Sequence, residues 1–211
     1  MEVGKTDNQT LRAQARESLN GKWRPIIVVT IMLSLPIFIL SMISVLGTII
    51  DFLLFGVVWI SYLSFFLPIA RNKKVRVNTL FSEFKRYEFY TMVYLQFLLK
   101  LIIGTIIFII PGLIAKYRYQ LVPFVIADNP NITNPADALN KCKILMEGNK
   151  WRLFSLQMSF IGWWFLSVLT FGIGFLWLVP YMNVTFAKLY DDISFGKRTG
   201  APSGIKEAPA S

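Results

Sequence analysis

Few residues in this sequence could do chemistry, because the usual catalytic side chains are missing or isolated. The 211-residue chain contains no histidine and a single cysteine, Cys142. Histidine-based acid–base catalysis, histidine-activated nucleophiles, His-zinc sites and intrachain disulfides are therefore excluded. Asp128 and the pair Asp191-Asp192 offer only oxygen ligands, and Gly172-Ile173-Gly174 lacks the strand and third glycine of a phosphate loop. The sequence thus predicts a non-enzymatic protein with no catalytic residue, metal site or cofactor.

Three ionisable residues near predicted turns form the first part of a candidate site. Ionisable groups are costly in hydrocarbon, so each needs a partner or a function. From the helical rise, Asp51 lies about 6 Å below one turn, and Lys116 and Arg118 roughly 6–9 Å below the next. These matching depths allow an ion pair between the first two hairpins. The alternatives are separate snorkelling to the outer surface and an ion or proton site.

Deeper polar residues form the second part of the site. Gln96 and Lys100 share a helical face, and Asn183 lies at comparable depth in the last apolar stretch. They could line a polar cavity or bond between helices, and the sequence offers Lys100 no carboxylate at its depth. The candidate intramembrane polar site comprises Asp51, Lys116, Arg118, Gln96, Lys100 and Asn183.

The composition is that of a polytopic membrane protein. Hydrophobic residues make up 55% of the chain and charged residues only 16%, whereas a soluble domain carries about 25% charged residues. The mean hydropathy is +0.53, and the apolar residues come in long blocks. These values exclude a disordered chain, a disulfide scaffold and a typical soluble enzyme.

Six apolar stretches are candidates for membrane-spanning helices, because about 20 apolar residues cross roughly 30 Å of hydrocarbon. The predicted spans are residues 26–46, 49–70, 89–110, 113–127, 153–170 and 173–190. Turns at Gly47-Thr48, Pro111-Gly112 and Phe171-Gly172 join them in pairs, since glycine permits a tight turn and proline stops a helix. We therefore expect an all-α membrane protein with about six transmembrane helices in three hairpins. Five spans is the alternative, because residues 113–127 are short and carry two cations.

The basic residues predict the orientation. All of them except Lys100, Lys116 and Arg118 fall in four stretches, and the three tight turns carry none. The stretches are residues 1–25, 71–88, 128–152 and 188–211. Because positive charge stays in the cytoplasm, we expect a multi-pass protein of the bacterial plasma membrane with both termini cytoplasmic. Residues 1–25 would be a cytoplasmic segment, 26–190 the transmembrane domain and 191–211 a disordered cytoplasmic tail.

A short amphipathic stretch precedes each hairpin. The three stretches are residues 9–20, 79–87 and 135–147. In the first, Leu11, Ala15 and Leu19 share one face. In the third, Asn134 is the predicted N-cap, and the apolar face comprises Ala138, Leu139, Cys142, Leu145 and Met146. We expect three cytoplasmic amphipathic helices.

Similar junctions end the first and third stretches. In each, a glycine is followed within two residues by Lys-Trp-Arg, a pattern that suits the headgroup layer of an anionic membrane. The predicted interfacial lipid anchors are Lys22, Trp23, Arg24, Lys150, Trp151 and Arg152. They are either ordinary anchors or a docking collar for lipid or protein. The basic residues that give the chain its net charge of +10 lie beside the predicted spans. The predicted partners are therefore anionic membrane lipids and an unidentified protein rather than nucleic acid.

Several motifs together point to a family. They are Ile110-Pro111-Gly112, Asp128-Asn129-Pro130, the run from Met146 to Trp151, the run from Ser159 to Trp163 and the run from Leu169 to Tyr181. This set resembles a family of bacterial integral membrane proteins catalogued as domain of unknown function nine-seven-five. The resemblance covers roughly Leu11 to Ile193. It implies a multi-pass plasma-membrane protein without established activity, and it carries over no catalytic residue.

Two functional hypotheses remain from the sequence. The first is a scaffold, regulator or envelope-stress component that acts through protein or lipid partners. The second is a small transporter or channel subunit that uses the intramembrane polar site. A lipid-handling enzyme is disfavoured by the absence of histidine and of clustered acids. The sequence leaves the oligomeric state open.

Overall fold

The computed structural model describes the backbone of residues 6–43, 45–73, 86–107 and 109–198, and the side chains of 6–33, 56–73, 86–103 and 114–196. Within these ranges the chain forms ten α-helices and no strand, which confirms the all-α fold class. The helices are α1 (Asn8–Leu19), α2 (Trp23–Ile43), α3 (Val45–Ala70), α4 (Tyr87–Ile107), α5 (Ile109–Tyr119), α6 (Val122–Asp128), α7 (Pro135–Met146), α8 (Lys150–Met158), α9 (Ile161–Leu169) and α10 (Phe175–Arg198).

Helix α1 forms where the first amphipathic stretch was predicted. The Asp7 side chain accepts hydrogen bonds from the backbone N–H groups of Gln9 and Thr10, which starts the helix. Gly21 follows its end with a φ of 72°, a conformation that a residue with a Cβ rarely adopts. The predicted face of Leu11, Ala15 and Leu19 is fully buried. The helix packs with this face against α3 and α10.

Helix α7 confirms the third amphipathic stretch. Asn134 caps it by accepting from the N–H of Ala136, and Pro135 occupies the first helical position. All five residues of the predicted apolar face are buried. The helix packs on α4, α5 and α6. The second amphipathic stretch, residues 79–87, lies outside the described residues except at its end, where Tyr87 begins α4.

Only one of the three predicted interhelical turns has the predicted position. Phe171 and Gly172 form the turn between α9 and α10, both with positive φ. Gly47-Thr48 and Pro111-Gly112 instead lie in the first turns of α3 and α5, so these helices begin earlier than predicted. A helix tolerates proline in its first turn because the N–H groups there have no intrahelical partner.

Two predicted spans are broken helices, which corrects the continuous segments expected at 113–127 and 153–170. The first divides into α5 and α6 at Gln120-Leu121, and the second into α8 and α9 at Ser159-Phe160. A side chain from an amphipathic helix meets a backbone carbonyl at each break. Arg12 Nη1 of α1 donates to the Ser159 carbonyl at 3.3 Å, and Cys142 Sγ of α7 donates to the Arg118 carbonyl at 3.3 Å.

Helix α10 extends to Arg198, which corrects the prediction of a disordered tail for residues 191–198. Ile193 and Ser194 are buried, and the acidic pair before them is held by ion pairs described below. The composition of the tail suggested disorder because its apolar content is low, but packing against the bundle decides the structure. Residues 199–211 lie outside the described residues.

The hydrophobic core combines side chains from helices that are far apart in the sequence. Its largest fully buried side chains include Phe66 of α3, Tyr90 of α4 and Phe124 of α6. Helices α3 and α4 cross closely at Gly56, where a Cβ would lie 2.5 Å from Tyr94 Cβ. Trp59 stacks on Phe97 beside this crossing, with ring centroids 5.5 Å apart.

The exposed surface of α9 and of the turn that follows it is almost entirely apolar. Phe165, Val168 and Leu169 are 73%, 63% and 78% exposed, and Phe171 is 99% exposed. Among the described residues, one helical run, Lys150–Leu169, is long and apolar enough to cross a membrane, and only 22% of its apolar window is buried. Two shorter apolar helical segments, Trp23–Leu33 and Gly56–Ala70, are also present. The structure therefore leaves the predicted six spans unconfirmed.

Candidate functional site

The ends of α3 and α6 meet an inner turn of α10 at Arg71, which directly follows α3. Its Nη1 lies 2.6 Å from Oδ1 of Asp128 at the end of α6. Its Nη2 and Nε lie 2.7 and 2.9 Å from Oδ1 of Asp191 on α10. The Tyr190 hydroxyl donates to the second oxygen of Asp128 at 3.0 Å. We name these four residues, Arg71, Asp128, Tyr190 and Asp191, the Arg71 cluster.

The Arg71 cluster carries two carboxylates for one guanidinium. Burial lowers the pKa of Arg71, but the hydrogen bonds and charges of Asp191 and Asp128 outweigh this effect and raise it. Burial also raises the pKa of Asp191, and the charge of Asp128 adds to the rise, while Arg71 opposes it. Asp128 is the more enclosed carboxylate, with only 7% of its side chain exposed. Arg71 donates twice to Asp191 and once to Asp128, and Tyr190 gives Asp128 a second hydrogen bond.

A second cluster ties the N-terminal segment to α8 and α10. Arg152 Nη2 lies 2.7 Å from Oδ2 of Asp192 and donates to the Thr6 carbonyl at 3.0 Å. The Thr6 hydroxyl donates to Oδ1 of Asp192 at 2.6 Å. These contacts close the segment before α1 over the ends of two helices. We name Thr6, Arg152 and Asp192 the Arg152 cluster.

The two similar Lys-Trp-Arg junctions have different surroundings. Trp151 is 74% exposed, as expected of an interfacial anchor, whereas Trp23 is half-buried. Arg24 is exposed, whereas Arg152 pairs with Asp192, and the role of both as lipid anchors stays a prediction. Of the remaining two predicted anchors, Lys22 donates to Asn72 Oδ1 at 3.5 Å and Lys150 is half-buried.

Lys100 has an aromatic partner that the sequence did not indicate. Its Nζ lies 5.2 Å from the ring centroid of Tyr119, which is on α5 opposite α4. This cation–π contact accounts for a lysine without a carboxylate at its depth. Gln96, one turn away on α4, is half-buried.

The predicted pairing of Asp51 stays a prediction, because its side chain lies outside the described residues. Its two proposed partners differ in environment. Lys116 is exposed, with its Nζ 5.8 Å from the Tyr117 ring centroid. Arg118 is half-buried, and its Nε is buried without a hydrogen-bond partner.

Asn183 lies on a different wall of the bundle from Gln96 and Lys100. It lines a cavity of about 510 Å³ between α2, α3 and α10, which neither Gln96 nor Lys100 lines. Tyr62 also lines the cavity, and its hydroxyl lies 3.1 Å from the Thr30 hydroxyl. The rest of the lining is mainly apolar. The structure therefore separates the predicted deep polar residues into two places.

The ion pairs of Arg71 and Arg152 were not predicted, although the sequence carries a signal for them. Asp128 and Asp191-Asp192 follow predicted spans on the same side as Arg71 and Arg152, and opposite charges on one side can pair. In the described part of the chain, no group of three or more acidic or cysteine side chains is placed to hold a metal ion.

The comparisons with known proteins give one result. A family model described as "Protein of unknown function (DUF975)" matches residues 100–197. No curated protein and no solved structure matches the chain. The matched segment includes Arg152 and the three aspartates of the two clusters but neither Arg71 nor Thr6. Over residues 100–197 the chain is thus similar to the DUF975 family, the same family that the motifs in its sequence resemble.

Proposed function

We propose that this chain is an integral protein of the bacterial plasma membrane and acts as a non-enzymatic scaffold, regulator or envelope-stress component. The observation that carries the proposal is the exposed apolar surface of α9 and its turn. Leu169 and Phe171 are 78% and 99% exposed, and Trp163 and Trp164 nearly half exposed. Water does not accommodate a continuous apolar surface of this kind, whereas lipid acyl chains do. Such a surface also offers a contact area to a membrane partner.

The helix lengths support a multi-pass arrangement, and the positions of the basic residues favour cytoplasmic termini. At 1.5 Å per residue, helices such as α2 and α4, with 21 residues each, measure about 31 Å, the thickness of the hydrocarbon layer. The two broken helices would supply the fourth and fifth spans. Breaks are tolerated at membrane depth where the freed backbone groups are bonded within the protein, and Arg12 and Cys142 supply such bonds.

The contacts that the charged residues make within the described part of the chain favour a scaffold over a transporter. Arg71, Arg152 and their acidic partners hold helix ends together, and Lys100 faces an aromatic ring. Charges that are engaged in structural contacts are poorly suited to bind and release a transported ion. The cluster geometry therefore supports a rigid base for the exposed hairpin rather than a site for turnover.

One observation favours the second candidate, a small transporter or channel subunit. The cavity of about 510 Å³ has polar groups at Thr30, Tyr62 and Asn183 within apolar walls, a usual composition for a small-molecule site.

Flux measurements on reconstituted protein distinguish the two candidates. Full-length protein in liposomes is assayed with a panel of monovalent ions, protons and small neutral solutes, beside Asn183→Leu and empty liposomes. We expect no flux above that of empty liposomes. Flux that disappears in Asn183→Leu would establish a transporter and overturn the scaffold.

A positive test of the scaffold uses photo-crosslinking in intact cells. A photoreactive residue at Trp151 or at Phe171 should yield a discrete adduct with a membrane protein, which is identified by mass spectrometry. The matched control places the same residue at buried Leu139. If Trp151 and Phe171 yield no more adduct than Leu139, the chain has no protein partner at these surfaces.

A further inference from the structure

A crevice beneath α1 has the composition of a lipid site. It has a volume of about 370 Å³ and lies between α1, the start of α2, α9 and α10. Three tryptophans, Trp23, Trp163 and Trp177, line it together with Leu166 and Leu178. Arg12 and Arg16 stand on its α1 side. None of the described residues that line it is a carboxylate, so its positive charge is not compensated locally.

Two contacts hold the Arg12 side chain in place, and some of its N–H donors have no partner among the described residues. Its Nη1 donates to the Ser159 carbonyl at the helix break, and its guanidinium carbon lies 5.4 Å from the Phe160 ring centroid. Its Nε is buried and has no hydrogen-bond partner. Arg16, one turn further along α1, is exposed. Because a guanidinium carries five N–H donors, the pair presents an anion site at the rim of the crevice.

The hydroxyl groups on the opposite wall are already used. The Ser167 hydroxyl donates to the Trp163 carbonyl at 2.8 Å, and the Thr170 hydroxyl donates to the Ser167 carbonyl at 2.9 Å. Thr170 also accepts from the N–H of Gly174. The two hydroxyl hydrogens are therefore not available to donate to an anionic ligand. Below the arginines the crevice is therefore effectively apolar.

We propose that this crevice binds one anionic phospholipid, with its phosphate on Arg12 and Arg16 and one acyl chain between Trp163 and Trp177. The inference rests on the proposed membrane location, because the crevice borders the exposed apolar face of α9 that would lie among acyl chains. The volume suits a headgroup phosphate and the first part of one chain. Bound in this position, the lipid joins α1 to the hairpin of α9 and α10.

The test titrates purified full-length protein in a neutral detergent with phosphatidylglycerol or phosphatidylcholine and counts bound lipids by native mass spectrometry. We expect one phosphatidylglycerol per chain to bind more tightly than phosphatidylcholine. Arg16→Gln should weaken this binding about fivefold, and Arg12→Gln with Arg16→Gln by roughly a further fivefold, from the interaction of one basic residue with an anionic surface. The matched control, Lys141→Gln with Lys143→Gln on α7, removes the same charge from exposed positions away from the crevice and should change nothing.

Several outcomes would overturn the proposal. Wild-type protein without a preference for phosphatidylglycerol would do so, as would equal losses in the crevice and control variants. Displacement of the lipid by inorganic phosphate would show a phosphate site, and displacement by hexaglutamate a site for acidic peptides. If Arg12→Gln with Arg16→Gln elutes as aggregate, the exposed Arg16→Gln alone decides the test. If the protein inserts in membranes but has no preference for phosphatidylglycerol, the lipid site is wrong and the proposed scaffold function is unaffected. If the protein is monodisperse without detergent, both the lipid site and the membrane scaffold are wrong.

Discussion

At the scale of single residues, the charges of this protein act in groups at helix ends. Asp128 is the clearest case, because Arg71 and Tyr190 both bond to it while only 7% of its side chain is exposed. Removing one partner of an enclosed ion pair leaves the other charge uncompensated. Asp128 therefore stabilises the junction of α3, α6 and α10 more than its single charge suggests.

Replacement of Asp128 with alanine should destabilise the protein by about 2 kcal/mol, which is below the range for fully buried pairs because Arg71 stays partly exposed. This corresponds to a fall of roughly 4–8 °C in the thermal midpoint for a chain of this size. The midpoint in detergent is measured by fluorescence-detected size-exclusion chromatography. Glu147→Ala, which removes an exposed carboxylate after α7, is the control. Equal midpoints for the two variants would mean that the cluster has no stabilising role.

Asp191 should make stability depend on pH in the opposite sense to an ordinary salt-bridged acid. Because burial raises its pKa in the folded state, the folded protein binds this proton more tightly than the unfolded chain does. The associated stability is fully present below the unfolded pKa of about 3.9. It is lost as the pH rises through the folded pKa.

Asp191→Asn does not titrate, so the comparison isolates this carboxyl. We expect wild type to lose stability relative to Asp191→Asn between about pH 4 and pH 7. Thermal midpoints of both proteins at the two pH values give the measurement. A relative gain by wild type over the same interval would show that pairing with Arg71 dominates burial.

Cys142 should be chemically inert in the folded protein. Its thiol is fully buried, donates to the Arg118 carbonyl, and has a pKa raised by burial, whereas only the thiolate reacts readily. We expect no maleimide labelling of detergent-solubilised wild type during a time that fully labels Glu147→Cys, and complete labelling after denaturation. Fast labelling of native Cys142 would mean that α7 detaches readily from the bundle.

Residue roles were the least predictable part of the site. The burial of Cys142 follows from its place on an amphipathic face, and the sequence predicted that face correctly. The contact between Lys100 and Tyr119 depends on how α4 and α5 rotate against each other, which no local pattern encodes. Arg152 and Trp151 are adjacent in the same junction, yet one faces Asp192 and the other is exposed.

At the scale of helices, the sequence predicted where helices form better than where they end or break. Amphipathic periodicity and capping residues predicted α1 and α7 almost to the residue, because those signals are local. The break at Ser159-Phe160 has no proline, and its Ser159 carbonyl is bonded by Arg12 from 147 positions away in the chain. Tertiary partners of this kind allow a helix to stop inside an apolar run.

The crossing of α3 and α4 at Gly56 should tolerate no side chain. Alanine normally stabilises a helix by about 1 kcal/mol relative to glycine, but here its Cβ would lie 2.5 Å from Tyr94 Cβ. We expect Gly56→Ala to destabilise the protein by about 1–3 kcal/mol, the usual cost of overpacking. The measurement is the same thermal midpoint in detergent.

The matched control is Gly162→Ala on α9, where an added Cβ meets no atom within 4 Å. It should be neutral or slightly stabilising, because only the helix propensity changes. If Gly56→Ala behaves like Gly162→Ala, the two helices are not in close contact at this point.

At the scale of the whole molecule, charges and apolar surface occupy different parts of the chain. The Arg71 and Arg152 clusters join the ends of α3 and α6 and the start of α8 to the C-terminal half of α10. Phe165, Leu169 and Phe171 expose apolar surface at the other end of the last hairpin. Composition predicted the hydrophobic character, and the positions of the basic residues predicted which ends lie together. The proposed orientation in a membrane rests on both, because the positive-inside rule would keep the cationic ends in the cytoplasm.

Cysteine labelling in cells tests this orientation directly, with Cys142 left in place as an unreactive background. Phe171→Cys lies in the turn between α9 and α10, and Glu147→Cys lies after α7. With six spans, an impermeant maleimide should label Phe171→Cys in intact cells and Glu147→Cys only after permeabilisation. Lys73→Cys precedes residues 113–127, so it should be labelled only after permeabilisation with six spans or with five. The reverse pattern for the first two would show that residues 113–127 do not cross, since one fewer span exchanges the sides of everything that follows. Labelling of all three only after permeabilisation would mean that the last hairpin does not reach the outer surface, and its apolar face would then require a protein partner inside the cell.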